Sequence, residues 1–262
     1  KVADPYRWLE ADVRKSTDVA DWVAAQNRVS LGYLKAIPER EGIQRRLTDL
    51  WNYEKFSAPF KAGTRYFYTR NDGLQNQSVL YVQESLDAEP RVLVDPNTWS
   101  KDGTVALAGM SISDDGKYLA YSVADAGSDW QIWRVIDVDT GKLLPDEIRW
   151  VKFSGAAWTR DNRGFFYCRY PETKPGEQFQ SLNLNMQMYY HRIGTPQSED
   201  VLVHHHPDQP KWTFQGGVTE DGRYFVLYTN AGGPSARFRV AYRDLAEPLG
   251  TFIELVDNFG NE

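Results

Sequence analysis

Asp115-Gly116-Lys117-Tyr118-Leu119-Ala120-Tyr121 and Asp221-Gly222-Arg223-Tyr224-Phe225-Val226-Leu227-Tyr228 read almost alike. Each places a Gly where a tight turn needs one and then runs into an aromatic-rich strand. Ala62-Gly63-Thr64-Arg65-Tyr66-Phe67-Tyr68 and Asn162-Arg163-Gly164-Phe165-Phe166-Tyr167 have the same form. The first aromatics stand at 66, 118, 165 and 224, giving spacings of 52, 47 and 59. A second strand pattern trails each one: Val79-Leu80-Tyr81-Val82, Gln131-Ile132-Trp133-Arg134-Val135, Met188-Tyr189-Tyr190-His191-Arg192 and Phe238-Arg239-Val240-Ala241-Tyr242. A turn such as Asp139-Thr140-Gly141-Lys142 often follows. A four-stranded antiparallel blade takes roughly 40–50 residues. The spacing therefore predicts a β-propeller, with about four blades over residues 55–262. A β-sandwich repeats its turn signals every 8–12 residues or so without a longer unit, so it fits less well.

The first fifty residues follow a helical period. Asp4-Pro5 reads as a helix start, with Asp at the cap and Pro at the first helical position. Thr17 and Asp18 are candidate caps of a second helix with apolar Val19, Trp22, Val23, Val29, Tyr33 and Ile37, which Pro38 ends. Ile43, Leu47, Leu50 and Trp51 mark a third helix. Three short helices bury little against each other, so their apolar faces call for a larger partner.

Composition narrows the function classes. Of the 262 residues, 14% are aromatic, including 9 Trp and 15 Tyr, which favours strands. The formal net charge of −6 argues against a nucleic-acid binder, which needs a basic footprint. A single cysteine, Cys168, rules out a disulfide-built domain. No apolar run approaches the roughly 20 residues of a membrane span, and no signal peptide is visible.

A catalytic set is not found. Gly109-Met110-Ser111-Ile112-Ser113 lacks the final Gly of a nucleophile elbow. No phosphate-binding loop or dinucleotide fingerprint occurs. Gly216-Gly217 and Gly232-Gly233 are read as turn glycines beside strands. His204-His205-His206 is the obvious metal candidate. Adjacent histidines on a strand point to opposite faces, and no Cys or carboxylate stands beside them at ligand spacing, so the run is read as a solvated loop and no metal is expected. Cys168 is read as an inert core residue. From the residues alone, the chain is a repeat scaffold with a binding face.

Several words also resemble the prolyl oligopeptidase family of serine peptidases. They are Asp4-Pro5-Tyr6-Arg7-Trp8-Leu9-Glu10, Gly73-Leu74-Gln75-Asn76-Gln77, Asp102-Gly103-Thr104-Val105-Ala106-Leu107, Gly127-Ser128-Asp129-Trp130, and Val151-Lys152-Phe153-Ser154 with Ala157-Trp158-Thr159. Tyr189-Tyr190-His191, Gln197-Ser198-Glu199-Asp200, Pro210-Lys211-Trp212 and Leu255-Val256-Asp257-Asn258-Phe259 continue the match in order to the end.

The resemblance implies a mainly β fold: part of a seven-bladed propeller, preceded by N-terminal helices that belong to an α/β-hydrolase domain. On that reading residues 1–54 are a segment of the peptidase domain and residues 55–262 are the first four or so blades. The implied enzyme cuts short peptides after proline with a Ser-Asp-His triad. That triad would lie in a missing part, leaving this chain without catalytic residues and inactive alone, and no cofactor is implied. Partners would be proline-containing peptides, the remaining blades and the hydrolase domain, with no nucleic acid or membrane. The implied compartment is the cytoplasm, or the periplasm had a leader been removed.

Site residues follow from the same resemblance. Phe153 matches an aromatic that reaches from the propeller to the bound peptide. Asp129 matches an acid that pairs with a substrate-binding arginine of the hydrolase domain. Thr213 stands where a Met can be found, Gly233 stands where a Cys can be found, and Phe214 would fill the space of that Met. From the residues alone, Phe153 reads as a blade-core ring and Asp129 as a turn residue before Trp130. Two competing readings are a standalone propeller that binds a protein or peptide, and a relative that cuts after basic residues. Gln75-Asn76-Gln77 and the Val151–Ser154 word favour the proline-specific branch.

Overall fold

The computed structural model describes residues 3–174, 177–178, 181–232, 237–247 and 250–260. They fall into two compact units: Lys1–Tyr53 with Asp72–Leu74, and Glu54–Asn71 with Gln75–Glu262.

The first unit is helical. Asp4-Pro5 opens onto a single 3-10 turn at Arg7–Glu10, not a longer helix. Helix α1 (Thr17–Lys35) is capped by Ser16, one residue before the expected cap; its Oγ accepts the Val19 N–H at 3.4 Å. The Ala36 N–H closes the far end on the carbonyls of Gly32 and Tyr33. Helix α2 (Arg40–Trp51) follows. Trp8 meets Trp22 edge-on at 6.3 Å.

The second unit holds four antiparallel sheets. The first contains β1 (Lys55–Phe56), β2 (Phe60–Ala62), β3 (Arg65–Asn71), β4 (Val79–Gln83) and β5 (Arg91–Val94). The second runs β6 (Val105–Ile112), β7 (Tyr118–Asp125), β8 (Gln131–Asp137) and β9 (Lys142–Val151). The third runs β10 (Ala157–Trp158), β11 (Gly164–Arg169), β12 (Gln187–Arg192) and β13 (Val201–His205). The fourth runs β14 (Thr213–Val218), β15 (Tyr224–Asn230), β16 (Phe238–Asp244) and β17 (Ile253–Val256). The eight strand words of the sequence are β3, β4, β7, β8, β11, β12, β15 and β16.

The strand period explains how the sheets stack. Successive side chains on a strand point to opposite faces. On β7, Leu119 and Tyr121 pack against Phe67, Leu80 and Val82 of the first sheet, while Ala120 faces the third. On β11, Phe165 and Tyr167 join Trp133 and Ile148 of the second sheet, while Phe166 and Cys168 join Phe214, Phe225 and Leu227 of the fourth. Three apolar clusters therefore join four sheets in series.

The turns repeat as closely as the strands. Ser113, Thr159 and Thr219 each donate a hydroxyl hydrogen bond to the Asp two residues on, namely Asp115, Asp161 and Asp221. Each of those carboxylates also accepts the backbone N–H of the second residue after it. The residue between is left-handed: Gly116 (φ 73°), Asn162 (φ 55°) and Gly222 (φ 73°). A side chain at Gly116 would meet the Ala62 carbonyl at 2.5 Å, which explains the Gly where the first two sheets touch. In the third sheet Asn162 takes the turn position, and Gly164, expected to make it, instead lies in β11.

The expectation of an α/β-hydrolase segment in residues 1–54 is corrected. That architecture rests on parallel strands with helices packed on both faces. Every strand pair among the described residues is antiparallel, and the helical unit contributes no strand. An amphipathic face demands some partner, but its pattern does not identify the partner's fold.

One joint between sheets is ionic. The His191 ring on β12 is fully buried between two carboxylates, with Nδ1 2.7 Å from Asp200 Oδ1 and Nε2 2.9 Å from Asp146 Oδ1 on β9. Asp200 also accepts the Tyr167 hydroxyl at 2.6 Å, and Asp146 the Gly194 N–H at 2.7 Å. Both ring nitrogens face acceptors, so the imidazolium suits the site. Burial alone would lower its pKa; the hydrogen bonds from Asp146 and Asp200 outweigh that and raise it to about 9. A raised folded pKa stabilises fully below the unfolded value near 6.5 and stops doing so as pH rises through about 9. The shift corresponds to roughly 3 kcal/mol. Denaturant midpoints measured from pH 6 to 10 should fall across that window, and His191→Ala should flatten the fall while costing about 3–5 kcal/mol at pH 6.

Candidate functional site

A cleft of about 230 Å³ opens between the third and fourth sheets beside their first strands. Phe153, Ser154 and Gly155 form one lip; Gln215 and Gly216 of β14 lie across it; Phe166, Cys168, Met188, Phe214 and Phe225 also line it. Such a lining offers apolar contact with a few polar groups to orient a ligand.

Phe153 is held in an uncommon state. Its φ is +55°, a region L side chains rarely adopt, and the residue is 54% exposed. The chain thus bears a cost of order 1–3 kcal/mol to present an aromatic to the cleft mouth. Phe214 is the opposite case, at 2% exposure. Its N–H donates to Met186 Sδ at 3.2 Å, its carbonyl accepts the Cys168 thiol at 3.3 Å, and His204 meets its ring edge-on at 4.8 Å. It is the cleft's fixed floor.

Asp129 is exposed, at the same end of the second sheet as Phe153: β8 and β9 pair Gln131 with Val151, and the two residues lie just beyond that pair. Thr213 lies apart. It lines a separate hollow of about 280 Å³ with Gln215, Tyr228, Asn230, Gly232 and Phe238. Gly233 lies outside the described residues. Phe153 and Phe214 therefore line one cleft, Asp129 lies outside its lining, and the hollow that holds Thr213 shares only Gln215 with it.

Two sequence readings change here, and a third residue enters that the sequence did not single out. Gly216, expected in a turn, sits inside β14, where a Cβ would lie 2.1 Å from the Phe225 ring. The histidine run is not a loop, since β13 takes in His204 and His205. His204 packs against Phe214 and Phe252, and burial lowers its pKa to about 4, so it is neutral packing material. Third, Lys152 draws no notice in the sequence but is buried with its ammonium 4.0 Å over the Trp130 ring. Cys168 is buried and its thiol is pushed up to about 12 by desolvation, which leaves it unreactive. Among the described residues no cluster of three His, Cys, Asp or Glu side chains could hold a metal ion, and no helix is long and apolar enough to cross a membrane.

Four-stranded antiparallel meanders joined face to face in sequence order are the blades of a β-propeller. Residues 1–262 match the family model described as "Prolyl oligopeptidase, N-terminal beta-propeller domain". The chain belongs to this family. The match takes in the N-terminal helices too, which completes the correction of their assignment to a hydrolase domain. Among similar proteins, the prolyl endopeptidase of Elizabethkingia miricola is 41% identical over 227 residues, covering 87% of this chain and 32% of the relative. Prolyl oligopeptidase A of Amanita bisporigera is 40% identical over 256 residues, covering 87% and 33%. The solved structure of prolyl oligopeptidase B from Galerina marginata, bound to a 35mer hydrolysis and macrocyclization substrate, superposes with a TM-score of 0.88 at 30% identity, covering 99% of this chain and 38% of that one. The chain spans about a third of the length of these curated relatives.

The two phenylalanines should separate under mutation. Phe214→Ala should cost about 3–5 kcal/mol in chemical denaturation, because it empties the floor between two sheets. Phe153→Gly should leave the midpoint unchanged or raise it, since Gly accepts the left-handed backbone without strain.

Proposed function

We propose that this chain is the propeller part of a proline-specific serine oligopeptidase. In this reading the propeller admits short peptides and helps to hold them, and cleavage falls on the carboxyl side of proline. The bond-breaking groups, a Ser-Asp-His set, lie in a part of the protein outside these 262 residues. Family membership supports the reading, as does coverage of only about a third of the relatives' length.

The observation that carries the site assignment is Phe153: an exposed ring on a strained backbone above an apolar cleft. Strain of this kind persists only where the surroundings enforce it, and an aromatic edge supplies contact area at low entropic cost. In the proposal Phe153 touches the bound peptide, and the exposed Asp129 carboxylate aims an arginine of the catalytic part at the peptide backbone through a bidentate pair. Thr213 and Gly233 would shape the outer end of the peptide site.

The test uses a chromogenic proline peptide. The 262-residue chain should give no turnover, and the full-length protein should give turnover that a serine-reactive reagent abolishes. In the full-length protein, Phe153→Ala should lower kcat/KM by about tenfold, the loss of roughly 1.4 kcal/mol of binding, with an unchanged thermal midpoint. Hydrolysis by the chain alone would sink the assignment of the catalytic groups elsewhere. A full-length protein inert to the peptide would sink the activity. A normal kcat/KM with a lowered midpoint would make Phe153 a packing residue only.

A further inference from the structure

Phe153 cannot hold its own conformation. A left-handed backbone costs a non-glycine residue free energy, so the residues on either side must be pinned for the ring to stay displayed. The structure pins them, through β11, the connection between β11 and β12, and Trp130 just before β8.

On the far side, Ser154 Oγ accepts the Cys168 N–H at 2.7 Å and donates to the Gly155 carbonyl at 2.9 Å. On the near side, the Trp150 carbonyl accepts the Tyr170 N–H at 2.9 Å. Trp150 is itself left-handed, with φ +65°. Between these ties stands Lys152. Its ammonium lies 4.0 Å over the Trp130 ring and donates to Asn183 Oδ1 at 2.9 Å. Trp130 is fixed in turn: it meets Trp150 edge-on at 5.6 Å and Tyr170 at 6.4 Å, and its indole N–H donates to the Gln178 carbonyl at 2.6 Å.

A cation over an indole face is held more firmly the less water reaches it, and Lys152 is buried. Relaxing the Phe153 backbone would carry Lys152 off that face, so the contact opposes the relaxation. The neighbours in sequence are telling: Lys152 precedes Phe153, and Trp130 follows Asp129. One contact thus ties together the two chain segments that carry the proposed peptide-side residues. Burial lowers the Lys152 pKa, and the Asp129 charge opposes that shift, so the carboxylate is felt at the ammonium.

We propose that Lys152 is a positioning residue: clamped by Trp130 and Asn183, it holds the Phe153 ring in its left-handed, displayed state and ties that ring's place to Asp129. Lys152 acts on peptide through Phe153 and does not touch the peptide itself. This rests on the reading of Phe153 as a peptide contact.

The experiment uses the full-length protein and a cycle of Lys152→Met, Phe153→Ala and their double variant, with Asn183→Ala as a milder break of the same clamp. Met keeps an apolar stem over Trp130 and loses the charge. Lys152→Met should raise KM for a proline peptide about five- to tenfold and leave kcat within about twofold. In the double variant the loss should not exceed that of Phe153→Ala alone, because both changes remove one function. Additive losses, or an unchanged KM, overturn the proposal. Should Lys152→Met not fold, Asn183→Ala, an exposed site, takes its place in the cycle.

A second readout does not need activity. With 4-fluorophenylalanine at position 153, the fluorine resonance should shift or broaden in Lys152→Met and in Asn183→Ala. An unmoved resonance overturns the clamp whatever the kinetics. A parent protein without turnover overturns the peptidase reading instead, and the fluorine spectrum still decides whether Lys152 holds the ring.

Discussion

Each inner sheet of the second unit is buried on both faces, and that single constraint shapes most of what the chain does. A strand offers alternate side chains to its two sides. When a sheet lies between two others, both sets must be apolar and must fit different neighbours. Strand β11 shows the consequence: Phe165 and Tyr167 belong to one interface, Phe166 and Cys168 to the next. No single sheet can bury its rings alone, so stability is a property of the joints between sheets. The core is therefore three separate clusters, not one.

Apolar joints tolerate sliding, and the polar links at the sheet ends oppose it. Gly63 N–H donates to the Asp114 carbonyl, and the Asp114 N–H donates to Asn162 Oδ1, so three consecutive sheets are pegged at their tight turns. Gln77 does the same at the opposite end, donating to the Val105 carbonyl and accepting the Leu107 N–H. The Asp146–His191–Asp200 bridge adds a buried ionic peg between the second and third sheets. A buried ion pair is weak evidence for net stability, but breaking one is expensive, so a misplaced sheet would leave charges stranded. These pegs fix the first three sheets relative to one another.

Local features were legible in the sequence, and distant meetings were not. The recurring glycine, aromatic strand and second strand located eight of the strands, because turn chemistry and a period of two are written in adjacent residues. The Asp146–His191 contact joins residues 45 apart, and nothing at either end marks the other. Gly216 looks like any turn glycine until Phe225 is seen to fill the space of its missing side chain. His204 reads as a loop or metal residue because a run of histidines carries no burial signal. The helices went furthest astray: their apolar stripes state that something covers them, not what. Of the site, Phe153, Asp129 and Phe214 came from resemblance alone; Lys152 could not be singled out, because a buried lysine and a solvated one are spelled alike.

The cleft combines two opposite demands on neighbouring residues. Phe214 and Phe225 contribute by being immobile; their rings fill the joint and set its width. Phe153 contributes by not being buried, and its backbone pays for that display. Nothing in the apolar packing would hold Phe153 out, since an exposed ring gains nothing by exposure. The force must come from groups that are more costly to move than the ring is to display. The Trp150 carbonyl, the Ser154 hydroxyl and the Lys152 ammonium meet that condition, because each would lose a hydrogen bond or an indole face if the backbone relaxed. Polar contacts at the lip thus govern where an apolar ring stands, and buried rings form the floor beneath it.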